Sequence, residues 1–395
     1  MGDSLSPQFW QSAWQFVTHN WALFSILLTI LLLTCIPALI FAKYVRICMN
    51  IIRDTVPPFV RTQLVFQPII GEDRDIYARD GIRLRGVLLH PTTSERRGLI
   101  IFVPEFKSDR SSCARYCRAL LAAGYDVFSF DFHGHGDSAT EEGYRPLQWA
   151  SDREVMDVQA AIRFAEDWLE SQGRPAEVGL FGISRGAGAA LLAAAETPSV
   201  IKAIVTDGAF SADCTLEHLM KRWASIFAKV RIVYENHPPE FWRFLRWCVF
   251  RTLRRRLKCH YPSVRKALVR MVPRPTLFIH GERDGFIPVE QSRLLYAQAA
   301  QPKHLWIVRG AKHNQSVDVR PQEYARRTVE FFDHYLARRE DPQNMFNEGR
   351  FREIVRRTMP RQEEPVVMGG EPGEGRLLPH RQIEATAPPS PASDN

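Results

Sequence analysis

Ser184 lies in Gly182-Ile183-Ser184-Arg185-Gly186, between the apolar run Val178 to Phe181 and the alanine-rich stretch Ala187 to Ala195. A G-x-S-x-G sequence between a strand and a helix holds its serine on a sharp turn with the hydroxyl exposed, the setting of an activated nucleophile. Two further residues able to complete an acyl-transfer site follow in chain order. Asp284 stands just beyond the apolar run Thr276 to His280, and His313 just beyond Leu305 to Val308. Acyl transfer requires a nucleophile, a base for its proton, a group that orients the base, and donors for the developing oxyanion. Glu282 competes with Asp284 as the acid, but it lies two residues earlier, where the chain is still leaving its strand.

Residues that must position such a site alternate between short apolar runs and helical patterns. Ile76 to Leu84 reads as a hairpin with Asp80-Gly81 at its turn. Leu99 to Val103, Asp126 to Asp131, Val178 to Phe181, Ile201 to Thr206, Thr276 to His280 and Leu305 to Val308 read as strands, with helices over Ser111 to Ala123, Asp152 to Ser171, the segment after Ser184, and Pro321 to Arg338. Alternation of this kind predicts an α/β fold: a mostly parallel, eight-stranded sheet covered by helices on both faces. The segment from 211 to 273 is long for a connection between two strands and rich in aromatics and arginine, so it is expected to form a helical cap over the carboxyl ends of the strands. The expected organisation is a lead-in over 1–20, an anchor over 21–42, a connector over 43–74, a catalytic domain over 75–340, a C-terminal helix over 341–359 and a disordered tail over 360–395.

Charge and cysteine usage narrow the class. The net charge is +8, but residues 221 to 270 carry 14 Lys or Arg against two acids, so the rest of the chain is slightly acidic. A local basic face argues against nucleic acid as the partner of the whole protein. Seven cysteines with no C-x-x-C give neither a disulfide framework nor a zinc site. His133 and His135 form an i, i+2 pair with no third ligand, which favours loop architecture over a metal, and no nucleotide or other cofactor signature occurs. Trp21 to Ala42 holds 22 residues without a charge, long enough to cross a bilayer. No Lys or Arg precedes it, whereas Lys43, Arg46, Arg53 and Arg61 follow, so an uncleaved anchor with the main domain on the cytoplasmic side is expected. Trp10, Trp14 and Trp21 suit an interfacial belt, and the basic run Arg254-Arg255-Arg256-Leu257-Lys258 suits docking on anionic headgroups.

Four segments resemble the α/β-hydrolase superfamily: Phe130 to Ser138, Gly182 to Gly186, Leu277 to Pro288 and Gly310 to Ser316. Within it they are similar to bacterial serine hydrolases related to dienelactone hydrolase and the serine aminopeptidases. The resemblance implies Ser184 as nucleophile, His313 as general base and acid, and Asp284 as the group that fixes the imidazole tautomer. It also implies the backbone N–H groups of Phe106 and Arg185 as oxyanion donors. The chain departs from the pattern at Pro104-Glu105, where such enzymes carry His-Gly, and at Arg185 after the nucleophile. A Glu105–Arg185 ion pair across the oxyanion hole, or a solvent-facing Glu105, would each reconcile that departure.

The expected activity is hydrolysis of carboxylic esters with apolar or lipid-like acyl groups. An aminopeptidase-type peptidase is the enzymatic alternative, although the basic insert offers few acids for a substrate amine. A catalytically impaired binding or scaffold protein is the alternative outside catalysis.

Overall fold

The computed structural model describes residues 7–54, 70–197, 200–227 and 237–338. The expected C-terminal helix over 341–359 and tail over 360–395 lie outside the described residues. The strands are β1 (Glu72–Tyr77), β2 (Arg83–Leu89), β3 (Gly98–Val103), β4 (Tyr125–Phe130), β5 (Val178–Ile183), β6 (Ile201–Asp207), β7 (Thr276–Gly281) and β8 (Lys303–Val308). They form one eight-stranded sheet in the order β1-β2-β4-β3-β5-β6-β7-β8. β3 to β8 run parallel, while β1 and β2 are antiparallel to their neighbours, so the sheet is mixed. The hairpin turns at Asp80-Gly81, where Gly81 adopts a φ of +83° that a side chain would strain.

Helices among the described residues are α1 (Pro7–His19), α2 (Trp21–Asp54), α3 (Cys113–Tyr116), α4 (Arg118–Ala123), α5 (Asp152–Ser171), α6 (Arg185–Glu196), α7 (Ala212–Phe227), α8 (Pro239–Leu257), α9 (Val264–Arg270), α10 (Val289–Gln298), α11 (Ser316–Val319) and α12 (Pro321–Tyr335). β3 to β6 are buried almost throughout, on both sides, because helices cover both faces. Leu99, Ile101 and Leu180 meet α5, α6 and α9 in one core. On the opposite face Phe102 and Phe181 stack near Tyr116, Tyr324 and Phe332 of α3 and α12. α5 begins with a capping box in which Ser151 and Glu154 satisfy each other's backbone N–H groups, which fixes where the helix starts.

α2 runs unbroken for 34 residues, about 51 Å. The charge-free run ends at Ala42, but the helix continues to Asp54 because its last turns have a core to enter. Phe41, Tyr44, Val45, Cys48, Met49 and Ile52 pack into a second apolar cluster with α7, α8, Trp149 and Ile287. Its earlier turns, Leu23 to Ile40, remain exposed. The helix is apolar and long enough to cross a membrane. The insert between β6 and β7 supplies α7, α8 and α9, and it packs on residues that follow the carboxyl ends of β4, β6 and β7: Trp149, Phe210 and Ile287.

Candidate active site

The turn from β5 into α6 places Ser184 at φ 52° and ψ −114°, a conformation that costs about 1–3 kcal/mol and persists only because its surroundings enforce it. Ser184 N–H donates to Asp207 O at 2.7 Å, tying the turn to the end of β6. Two glycines make the turn possible. A Cβ on Gly182 would lie 2.6 Å from Ala187 Cα, and one on Gly186 would lie 2.2 Å from Val103 O and 2.4 Å from Pro104 O. These contacts are with backbone, which cannot rotate away. Gly186→Ala is therefore expected to destabilise the domain by more than about 3 kcal/mol, or to abolish soluble expression, as read by thermal unfolding of the purified chain.

Ser184 Oγ lies 2.8 Å from His313 Nε2, and His313 Nδ1 lies 2.6 Å from Asp284 Oδ2. All three side chains are buried although they follow three different strands. A carboxylate only accepts, so the proton between Asp284 and His313 belongs on Nδ1, and Nε2 presents its lone pair to the serine hydroxyl. Asp284 Oδ1 accepts the N–H groups of Phe286 (2.9 Å) and Ile287 (2.8 Å), which fixes the carboxylate plane. Phe286 then stands edge-on to the imidazole, 5.3 Å between centroids. Glu282 is turned elsewhere and accepts the Gly310 N–H at 3.0 Å. His280 is buried between Ser292 Oγ (2.7 Å) and Ile287 O (2.9 Å), and desolvation lowers its pKa, so it stays neutral.

Arg185 and Glu105 do not meet, which corrects the expected pair. The Arg185 guanidinium is buried between the rings of Phe106 and Phe132, 4.9 and 4.8 Å from their centroids. It pairs with Glu154 Oε1 at 3.4 Å and donates to Leu147 O and to His135 Nε2, both at 3.2 Å. The reason is direction: the first turn of α6 aims Arg185 at the loop after β4 and the start of α5. Glu105 instead accepts from Ser112 Oγ at 3.1 Å. Nor does it face open solvent; it is half-buried, and desolvation raises its pKa. Phe106 thus meets Arg185 through its ring, and Gly186 packs directly against Val103 and Pro104, so the two segments carrying the expected oxyanion donors adjoin.

His133 and His135 belong to this buried scaffold. His133 N–H donates to Asp157 Oδ2 at 2.9 Å, and its ring pairs with the same carboxylate through Nδ1. Desolvation and the Arg185 charge push the His135 pKa down to about 4, so it is neutral. With its Nδ1 proton donated to His133 O at 2.8 Å, its Nε2 is free to accept from Arg185.

Two supporting residues escaped the sequence reading. Arg115 donates to Asn314 O at 2.8 Å and pairs with Asp318, bracing the loop that carries His313. Asp207, at the end of β6, accepts from Ser316 Oγ and Tyr324 Oη at 3.1 Å each. Neither had a local signal, since both act on residues more than 100 positions away. Desolvation pushes the Asp207 pKa up to about 7. The native state thus holds a proton that the unfolded chain has already lost above about pH 4. Stability from this group therefore falls as pH rises from about 4 to about 7, by about 4 kcal/mol at most. Asp207→Asn is expected to remove that slope and to raise stability relative to the parent above pH 7, as read by unfolding midpoints across pH 5–8.

Residues 94–240 match the family described as Serine aminopeptidase, S33. An uncharacterized protein of Mycobacterium tuberculosis is 30% identical over 247 residues, covering 62% of this chain and 73% of that relative. An uncharacterized protein of Escherichia coli is 23% identical over 283 residues, covering 70% and 84% respectively. Among solved structures, an esterase of Pyrococcus furiosus shares the fold, with a TM-score of 0.50 at 22% identity over 71% of this chain and 97% of that one. The mixed eight-stranded sheet, the serine turn after β5 and these relatives establish together that the chain belongs to the α/β-hydrolase superfamily.

Proposed function

We propose that this protein is a membrane-anchored serine hydrolase that cleaves carboxylic esters with apolar acyl groups through a Ser184 acyl-enzyme. The observation that carries the reading is the continuous relay from Ser184 Oγ to His313 Nε2 at 2.8 Å and from His313 Nδ1 to Asp284 Oδ2 at 2.6 Å. Ser184 Oγ attacks the ester carbonyl as His313 Nε2 takes its proton, and Asp284 stabilises the imidazolium. The backbone N–H groups of Arg185 and Phe106 receive the oxyanion. Collapse expels the alcohol, which takes the proton from His313, and water repeats the sequence to release the acid. Glu105 is compatible with this role because it turns to Ser112 and its desolvation disfavours the charged form.

Ester rather than peptide hydrolysis is favoured by the insert. Its carboxylates are already committed: Asp213 to Ser211 and Ser263, Glu217 to Lys221 and Arg246, Glu240 to Arg243. Among the described residues this leaves the insert no uncommitted acid for a substrate ammonium. Anchoring through α2 is supported by its exposed apolar turns and by its last turns being part of the domain's own packing, which a cleaved leader would remove.

Fluorophosphonate labelling of the full chain in detergent tests the catalytic reading, with Ser184→Ala beside it. Labelling of the parent that disappears in the variant is expected, followed by turnover of p-nitrophenyl esters that rises with acyl length. A folded parent that takes no label would refute the assignment. Turnover of aminoacyl p-nitroanilides in preference to esters would replace it with the peptidase reading.

A further inference from the structure

α8 crosses α2 where the charge-free run of the membrane helix ends. Phe41 meets Phe241 and Phe244 at ring centroid distances of 5.9 and 5.0 Å, and Tyr44 meets Phe241 at 6.3 Å. Ala42 closes the apolar run and Lys43 is the first cation after it. The crossing therefore marks the level at which hydrocarbon gives way to headgroups. Because α2 continues through this point as one helix into the domain's packing, no flexible linker separates α8 from the bilayer surface.

A groove of about 1080 Å³ opens between the two helices on one side of the crossing, with Pro37, Phe41 and Val45 on the α2 wall. The α8 wall is a single helical stripe: Phe244, Trp247, Arg251 and Arg255. Its first half is apolar and unusually open, with Phe244 54% and Trp247 53% exposed. Its second half is cationic. The Arg251 guanidinium stands over the Trp247 ring at 5.3 Å, and neither Arg251 nor Arg255 has a carboxylate partner among the described residues. Exposed aromatic side chains followed on the same helical stripe by arginines with no carboxylate partner among the described residues, beside the end of the charge-free run, match one ligand in chemistry.

We infer that the α2–α8 groove binds an anionic phospholipid of the surrounding bilayer, its acyl chain against Phe41, Phe244 and Trp247 and its phosphate against Arg251 and Arg255. The inference rests on the reading of α2 as a membrane span. It differs from docking by the Arg254-Arg255-Arg256-Leu257-Lys258 run because the ligand is held in a groove and the aromatic residues contribute.

Photo-crosslinking tests it with the full chain in nanodiscs of phosphatidylcholine, doped with phosphatidylglycerol or phosphatidylcholine carrying a diazirine on one acyl chain. Labelled peptides are mapped by mass spectrometry. Both probes are expected to label residues 21–42, which reports the span itself. Residues 241–252 should be labelled at least tenfold more by the phosphatidylglycerol probe than by the phosphatidylcholine probe. R251E/R255E should bring that labelling down to the phosphatidylcholine level while leaving labelling of residues 21–42 and fluorophosphonate capture by Ser184 unchanged. F244A/W247A should reduce α8 labelling by both probes. Labelled α2 with unlabelled α8, or equal labelling of α8 by the two probes, would overturn the groove assignment alone. Competition by millimolar glycerol phosphate would overturn it in favour of a soluble phosphate ligand. Absence of label on α2 would overturn the span and the inference that depends on it, leaving the Ser184 capture result standing on its own.

Discussion

Asp284→Asn is expected to lower kcat/KM for a p-nitrophenyl ester by about 10⁴-fold while the domain keeps its fold. The size follows from geometry. An asparagine at 284 can still accept the Phe286 and Ile287 N–H groups through its carbonyl oxygen, because those bonds go to Oδ1. Its amide NH₂ then occupies the place of Oδ2, 2.6 Å from His313 Nδ1. A donor there forces Nδ1 to accept and moves the ring proton to Nε2, where it faces Ser184 Oγ and blocks proton uptake. The imidazolium also loses its counter-charge. Steady-state kinetics with circular dichroism on the same sample check the prediction. A loss of less than about tenfold in a folded variant would mean that Asp284 does not govern the tautomer. Glu282 is not placed to substitute, since it is committed to the Gly310 N–H.

Glu154→Gln is expected to destabilise the protein by about 3–5 kcal/mol, with a fall in Tm on the order of 10 °C. Both Glu154 and Arg185 are fully buried, and among the described residues Glu154, at 3.4 Å, is the one carboxylate paired with that guanidinium. Desolvation acts to raise the Glu154 pKa. The Arg185 charge and the hydroxyls of Ser151 and Tyr144 outweigh it, so the carboxyl sits below the ordinary range. A glutamine keeps the volume and can accept from Tyr144 or Ser151, but it leaves a cation buried with no counter-charge. E154Q/R185M should recover much of the loss, because the methionine removes the charge and still fills the space between Phe106 and Phe132. The linkage has a definite sign. The depressed pKa makes the carboxylate stabilising above about pH 4.5, and that contribution disappears as pH falls through the folded-state pKa. The parent should thus lose stability toward acid more steeply than E154Q, as read by Tm between pH 3 and 7. If E154Q matched the parent at neutral pH, the pair would contribute nothing net.

The primary structure discloses some of these relations and conceals others. Ser184, Asp284 and His313 were legible because each stands at the end of its own apolar run, and a parallel sheet carries the ends of its strands to one edge. The glycines around Ser184 were legible for a related reason, since a strand turning sharply into a helix has no room for a Cβ. The hairpin and its Asp80-Gly81 turn followed from local backbone preference. Glu154 caps α5 through Ser151-x-x-Glu154, a pattern that sets where the helix starts. That pattern says nothing about Arg185, which lies 31 positions further on.

The departures at Glu105 and Arg185 were visible as unusual residues, but their partners were not. Their places on the two loops of the expected oxyanion hole suggested an ion pair, whereas the helix direction of α6 sends Arg185 toward α5 and the loop after β4. Glu105 turns to Ser112. Similarly, composition marked Trp21 to Ala42 as an apolar helix, and packing against α7 and α8 carried that helix on to Asp54.

Apart from α10, which no local pattern announced, the amino-acid sequence carried the order of strands and flanking helices, the turns that require glycine, the three residues proposed to act in catalysis and the apolar helix near the start of the chain. These depend on periodicity, backbone sterics and residue type, which operate over a few neighbouring positions. The packing of distant elements sets which charges neutralise one another around Arg185, how Asp207 and Arg115 brace the His313 loop, and how α8 meets α2 at the end of its apolar run. Those outcomes depend on side-chain direction and burial, and burial exists only once elements distant in the chain have closed around one another.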